Sequence, residues 1–179
     1  MNKKIISHLN NRSIVLVGMM GSGKTTIGKL LADELQLPFY DSDNEIEKNL
    51  GKKINDIFKE HGEPFFRSEE LNFFEKKINQ KQIIISSGGG SFVNREIQKK
   101  IKKDCISIWL KASKETLINR LKNKKNRPLL NIENFEDTLS LLLHERNAIY
   151  EKADLTIKID KLDKVKILQA IIKSLESLK

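Results

Sequence analysis

The stretch Ser13-Ile14-Val15-Leu16-Val17-Gly18-Met19-Met20-Gly21-Ser22-Gly23-Lys24-Thr25-Thr26-Ile27 decides the fold. An apolar run, Ile14–Val17, enters the pattern G-x-x-x-x-G-K-[ST], and a segment with helical spacing follows, carrying Ile27, Leu30, Leu31 and Leu35. Strand, glycine-rich turn and helix in that order form the context this phosphate-binding motif requires. Glycines let the loop wrap close to phosphate oxygens. Its amides then point inward beside a helix N-terminus of partial positive charge. Lys24 is expected to reach the β- and γ-phosphates, and the Thr25 hydroxyl to ligate Mg²⁺. The motif means nucleoside triphosphate binding. It leaves the acceptor open among ATPases, GTPases, helicases and small-molecule kinases.

Outward from this loop, three more apolar runs read as strands: Ile83–Ser86, Ile106–Leu110 and Leu155–Ile159, with Phe39–Asp41 as a weaker fifth. Helical periodicity fills the intervals, clearest over Thr25–Leu35, Glu63–Ile78 with Pro64 in its first turn, Phe135–Ala153, and the final stretch marked by Val165, Leu168, Ile172 and Leu175. Strands alternating with helices argue for an α/β fold with a parallel sheet and crossover helices. Ile14–Val17 and Ile83–Ser86 are continuously apolar, as central strands covered on both faces should be. Leu155–Asp160 alternates apolar and polar residues and reads as an edge strand with one wet face. The basic run Lys122–Pro128 and the stretch Lys48–Lys53 around Gly51 break the pattern. The first is either a solvated loop or a lid over an anionic ligand.

Length and composition bound the rest. A chain of 179 residues fits one domain spanning 1–179 and can bury a core without staples. Its net charge of +9 leaves nucleic acid, an anionic small substrate or a lysine-rich surface open. Aromatics are only 6%, too few for a platform on which bases stack. One cysteine excludes an internal disulfide framework, and three dispersed histidines offer no local metal motif. No apolar run approaches membrane-spanning length, and the N-terminal stretch lacks a small-residue cleavage pattern. A cytoplasmic protein is expected.

Three further groups of residues carry chemistry. P-loop proteins usually hold Mg²⁺ with an Asp ending a later apolar strand. Here that strand ends in Ser86-Ser87, and the acids stand instead at Asp41-Ser42-Asp43. One carboxylate can face the metal's shell while the other faces an acceptor hydroxyl; the competing role is capping of a following helix. Gly88-Gly89-Gly90 ends the Ile83–Ser87 strand and would let backbone amides approach a ligand, beyond what packing asks of a turn. Lysines outnumber arginines 27 to 6, so each rigid guanidinium fork stands out. Arg12 and Arg95 read as surface residues. Arg67, Arg120, Arg127 and Arg146, taken with the P-loop, form an anion-binding set.

In order and spacing, the P-loop, Asp41-Ser42-Asp43, Ile54-Asn55-Asp56-Ile57-Phe58, Phe66-Arg67-Ser68-Glu69-Glu70, Gly88-Gly89-Gly90 and Arg127-Pro128-Leu129-Leu130 resemble the shikimate kinases. The resemblance runs from about Ser13 to the final helix. It implies a P-loop fold like that of nucleoside-monophosphate kinases, with a five-stranded parallel sheet, a substrate-binding subdomain over about 42–70 and a lid near 121–133. It further implies that Lys24 and the amides from Gly21 through Ser22, Gly23 and Thr25 to Thr26 hold ATP. Thr25 would bind Mg²⁺ directly and Asp41 through water. Asp43 would bind the acceptor hydroxyl and act as base. Arg67 and Arg146, with Gly88, Gly89 and Gly90, would grip shikimate in a pocket lined by Phe58 and Phe66, with Glu70 orienting Arg67. Arg127 would close on phosphate and Arg120 flank the nucleotide. The loop Asp160–Lys164, where such kinases contact adenine, carries no residue assignable to that task.

The reaction implied is ATP- and Mg²⁺-dependent phosphorylation of the 3-hydroxyl of shikimate, on the route to chorismate and the aromatic amino acids. The partners expected are shikimate and ATP, with no nucleic acid or membrane, for a monomer. Three alternatives compete: a kinase for another polyol acid such as gluconate, a basic nucleic-acid-stimulated ATPase, and a nucleotide-binding module without catalysis.

Overall fold

The computed structural model describes residues 2–122 and 134–178. The order is α1 (Asn2–His8), β1 (Ser13–Val17), α2 (Lys24–Leu35), β2 (Phe39–Asp41), α3 (Ser42–Leu50), α4 (Ile54–Ile78), β3 (Ile84–Ser86), α5 (Arg95–Asp104), β4 (Cys105–Lys111), α6 (Lys114–Leu121), α7 (Phe135–Tyr150), β5 (Leu155–Lys158) and α8 (Lys164–Glu176), with a 3-10 turn at Ser91–Val93. The five strands form one parallel sheet in the order β2-β3-β1-β4-β5. All five sequence-predicted strands are present, and the alternating one is β5 at the edge.

The alternation of side chains across β1 builds two cores. Val15 and Val17 face one layer with Ile57, Phe66, Phe74, Ile97, Leu139 and Tyr150, from α4, α5 and α7. Ile14 and Leu16 face the other with Ile5, Ile27, Leu31, Ile167 and Leu175, from α1, α2 and α8. Every residue of β1 is buried, so both faces need apolar side chains and the strand reads as a continuous run. In β5 only Ile157 is fully covered. Among the described residues no helix is long and apolar enough to cross a membrane.

Two helical stretches depart from the sequence reading. Ser42–Leu50 is helical, which leaves only 51–53 irregular where a longer break was expected. Gly51 ends α3 in the left-handed conformation with φ 64°, a C-terminal signal that glycine supplies without steric cost. The helix expected from Glu63 begins earlier, at Ile54, and bends at Gly62, whose φ of 78° and ψ of 175° are not helical. Pro64 therefore sits in the first turn of the second half, where its missing N–H costs nothing. The Glu47 carboxylate accepts from the Ile54 amide at 3.0 Å and from Lys53 Nζ at 2.8 Å. It thereby caps α4 from α3 and fixes the two helices to each other.

Because all strands run parallel, their carboxyl ends share one edge. The chain leaves β1 for β2 on one side and later joins β4 on the other, so the strand order reverses beside β1. Open α/β sheets bind ligands at such a point. There the structure gathers the P-loop after β1, Asp41 at the end of β2 with Asp43 just beyond it, and Gly88–Gly90 after β3.

Candidate functional site

Gly23 caps α2 in the left-handed region, with φ 93°, and turns the loop directly into the helix. Lys24 is buried and its Nζ donates to the carbonyls of Gly18 and Met19 at 2.8 and 3.0 Å. The loop thus holds its cation folded across its own mouth, where phosphate oxygens can exchange for the carbonyls. Arg120, from α6, lays its guanidinium on the same loop, donating to the Ser22 carbonyl at 3.1 Å. This places it beside the P-loop.

The Thr25 hydroxyl donates to Asp41 Oδ2 at 2.7 Å and lies 3.5 Å from Ser86 Oγ. Asp41 is paired in register with Ser86, so the carboxylate stands one strand over from where P-loop proteins usually carry it. Its other oxygen accepts from the Asn44 amide at 3.2 Å and caps α3. Both readings of Asp41, capping and facing the metal shell, therefore fit one side chain. Hydroxyl and carboxylate oxygens beside a phosphate loop suit Mg²⁺, a hard cation that keeps several waters. Thr25 and Asp41 are the residues that would hold it.

A cavity of about 610 Å³ opens beside the P-loop and is lined by Asp43, Phe58, Phe66, Arg67, Gly88, Gly89, Gly90 and Arg146, together with Met20 of the P-loop itself. Every acceptor-site residue expected from the sequence faces this one space. Phe58 and Phe66 meet with ring centroids 4.8 Å apart and give it an apolar wall. Arg67 is gripped from two sides. Its Nη1 donates to Glu70 Oε2 at 2.8 Å, and its Nε and Nη2 donate to Glu63 Oε1 at 3.1 and 2.9 Å. Burial opposes the guanidinium charge, but Glu70 and Glu63 outweigh it and hold the Arg67 pKa above its ordinary value. Glu70 is itself fully buried and accepts from the Ser91 hydroxyl at 2.5 Å. The expected orienting role of Glu70 has this geometry.

The three glycines do more packing than the sequence reading allowed. A Cβ on Gly88 would lie 2.7 Å from Asp43 Oδ1 and 2.9 Å from Glu70 Oε1, and one on Gly90 would lie 2.7 Å from both terminal nitrogens of Arg67. The charged groups press directly on backbone, and any side chain there would displace them. A Cβ on Gly89 would come 3.5 Å from the Met20 amide, so the glycine floor also abuts the nucleotide loop. The Gly88 amide donates to the buried Ser42 hydroxyl at 2.8 Å, which ties this floor to the start of α3.

Sequence reasoning missed Ser42, Glu63, Ser91 and Tyr150. Only Glu63 left a signal, its four-residue spacing from Arg67 on one helix. Asp160, unassigned in the sequence, accepts from the Ser113 amide at 2.8 Å and the Thr116 hydroxyl at 2.6 Å. Burial would raise its pKa, but these hydrogen bonds prevail and lower it. It holds the start of α6, the helix that carries Arg120. Arg95 is exposed, as a surface arginine should be, whereas Arg12 is half-buried with its Nε donating to the Leu9 carbonyl at 3.3 Å. The expected lid falls almost wholly on 123–133, and Arg127 with it, outside the described residues.

The family model for shikimate kinase matches residues 20–176. A shikimate kinase of Bartonella henselae is 41% identical over 173 residues, covering 97% of this chain and 82% of the relative. Among solved structures, shikimate kinase from Acinetobacter baumannii in complex with shikimate superposes with a TM-score of 0.90 at 34% identity, covering 98% of this chain and 99% of that one. Shikimate kinase from Aquifex aeolicus gives a TM-score of 0.81 at 36% identity, covering 92% and 96%.

Proposed function

The chain belongs to the shikimate kinase family, and from that premise we propose that it transfers the γ-phosphoryl group of ATP to the 3-hydroxyl of shikimate, yielding shikimate 3-phosphate and ADP. The route served is the one to chorismate and the aromatic amino acids. The observation that carries the reading is that Asp43, Arg67, Arg146 and the Gly88–Gly90 floor line one cavity whose wall includes Met20 of the P-loop.

Two arginines on one cavity fit a carboxylate, which takes a guanidinium fork through paired charged hydrogen bonds. Shikimate presents a carboxylate and three ring hydroxyls. With the carboxylate held by Arg67 and Arg146, Asp43 beside Gly88 is the residue, among the acidic groups of the lining, that we assign to the acceptor hydroxyl. Asp43 accepts the hydroxyl proton as the oxygen attacks the γ-phosphorus. The new O–P bond forms as the bond to the β-phosphate oxygen breaks, and ADP leaves. Lys24 moves from the Gly18 and Met19 carbonyls onto the phosphates, and Arg120 flanks the nucleotide. When bound, Mg²⁺ neutralises charge developing on the phosphates. Positioning and charge neutralisation supply most of the rate, because phosphoryl transfer asks little covalent chemistry of the protein. The substrate-binding subdomain over 42–70 and the lid carrying Arg127 complete the proposal, for a monomer acting in the cytoplasm.

The test is ADP formation in a coupled assay with Mg²⁺, comparing shikimate, gluconate, single-stranded DNA and ATP alone. Turnover dependent on shikimate and absent with the other additions is the expected result. Turnover led by gluconate or stimulated by DNA would replace the reading.

A further inference from the structure

Tyr150 stands at the C-terminal end of α7, one helical turn beyond Arg146, and is 1% exposed. Its hydroxyl donates to the Gly89 carbonyl at 2.5 Å. Arg146 Nη1 donates to the same carbonyl at 3.2 Å. Arginine and phenol therefore converge on one carbonyl and join α7 to the glycine floor. Burial, more than the Arg146 charge beside it, sets the phenol's acidity and pushes its pKa up to about 12. The hydroxyl remains a donor throughout the working range. The ring is held from behind by Trp109 of β4, with centroids 5.9 Å apart and planes inclined by 32°.

We propose that Tyr150 is a positioning residue for the acceptor site, fixing the Gly89 peptide and the Arg146 guanidinium in the geometry that receives the substrate's carboxylate and hydroxyls. The inference rests on the kinase reading given above. Gly89 has no side chain to fix its peptide plane, and its neighbours are glycines too. Because the peptide is planar, holding one carbonyl sets the orientation of the amide that follows it. Arg146 has several rotatable bonds, and pinning it before the substrate arrives removes an entropy cost from binding. Both effects act on the acceptor side of the glycine floor.

Tyr150→Phe removes the hydroxyl and keeps the ring against Trp109. The expected result is a KM for shikimate raised about two- to twelvefold, the range for losing one hydrogen bond of ordinary net strength. The KM for ATP, the affinity for ADP and kcat should stay within twofold. Trp109→Phe loosens the same packing and keeps the hydroxyl, so it should leave the shikimate KM within twofold. In an Arg146→Ala background, adding Tyr150→Phe should cost less than twofold more, because the two residues act through one contact. An unchanged shikimate KM in Tyr150→Phe overturns the inference. So does an equal rise in Trp109→Phe, or full additivity with Arg146→Ala. If the unaltered protein phosphorylates no shikimate, the functional reading itself has failed, which is a separate outcome.

Discussion

Asp43→Asn is expected to lower kcat with shikimate by roughly 10²–10⁴-fold, the usual contribution of a positioned acid or base. The substitution preserves shape, so the close contact with Gly88 survives, where a Cβ would lie 2.7 Å from Asp43 Oδ1. The amide cannot take the proton that the attacking hydroxyl must lose. Nucleotide binding should persist, because the groups assigned to it are separate: Lys24 lies on the Gly18 and Met19 carbonyls and Thr25 on Asp41. Steady-state kinetics with ADP titration read both effects. A kcat within tenfold of the unaltered protein would remove Asp43 from the chemistry and leave it a binding residue.

Arg67→Ala should have the second large effect, on the acceptor side alone. Losing a two-pronged charged contact to a carboxylate forfeits about 3–5 kcal/mol, so kcat/KM for shikimate should fall by roughly 10²–10³-fold or more. ADP affinity should remain near its original value. The same change strips Glu70 of its cation. Glu70 is fully buried, with Ser91 as its other hydrogen-bond donor, so stability should also fall, by about 3 kcal/mol. Arg67→Lys separates the two losses. It keeps a positive charge beside Glu70 and restores most of the stability, but it lacks the fork and should recover little shikimate affinity. Denaturant unfolding and initial rates on the three proteins check this. Shikimate turnover unaffected in Arg67→Ala would contradict the placement of the carboxylate.

These predictions draw on features of unequal legibility. The sheet was readable because β1 is buried on both faces, which forces a run such as Ile14–Val17. The P-loop was readable because its amides, lysine and threonine lie within one short segment. α3 was hidden: only Ser42 and Ile46 are buried along it, so no apolar stripe marks Ser42–Leu50. The first half of α4 was hidden by Gly62, whose kink splits one helical stretch into two short patterns.

The cavity was legible as a set of residues and not as a geometry. Nothing in Gly88-Gly89-Gly90 alone says that Asp43, Glu70 and Arg67 press on it, since these come from α3 and α4. Ser42, Ser91 and Tyr150 join the site through contacts between distant parts of the chain, and a common serine or tyrosine leaves no pattern. Asp41 looked like a choice between two roles because sequence does not show that its two oxygens point to different partners. The net charge of +9 is now divided. Lys24, Arg67, Arg120 and Arg146 stand at the nucleotide loop and the cavity, whereas Lys29, Lys99 and Lys173 lie on solvated or half-covered helix faces.

The proposed function rests on this cavity presenting the 3-hydroxyl of shikimate to the γ-phosphate of ATP. Its most direct test is the site of phosphorylation, read by proton–phosphorus correlation NMR on the product of a complete reaction with shikimate, ATP and Mg²⁺. The expected product is one phosphomonoester, with phosphorus coupled to the ring proton on carbon 3. Phosphorus coupled to the proton on carbon 4 or 5, or release of inorganic phosphate with shikimate unchanged, would contradict it.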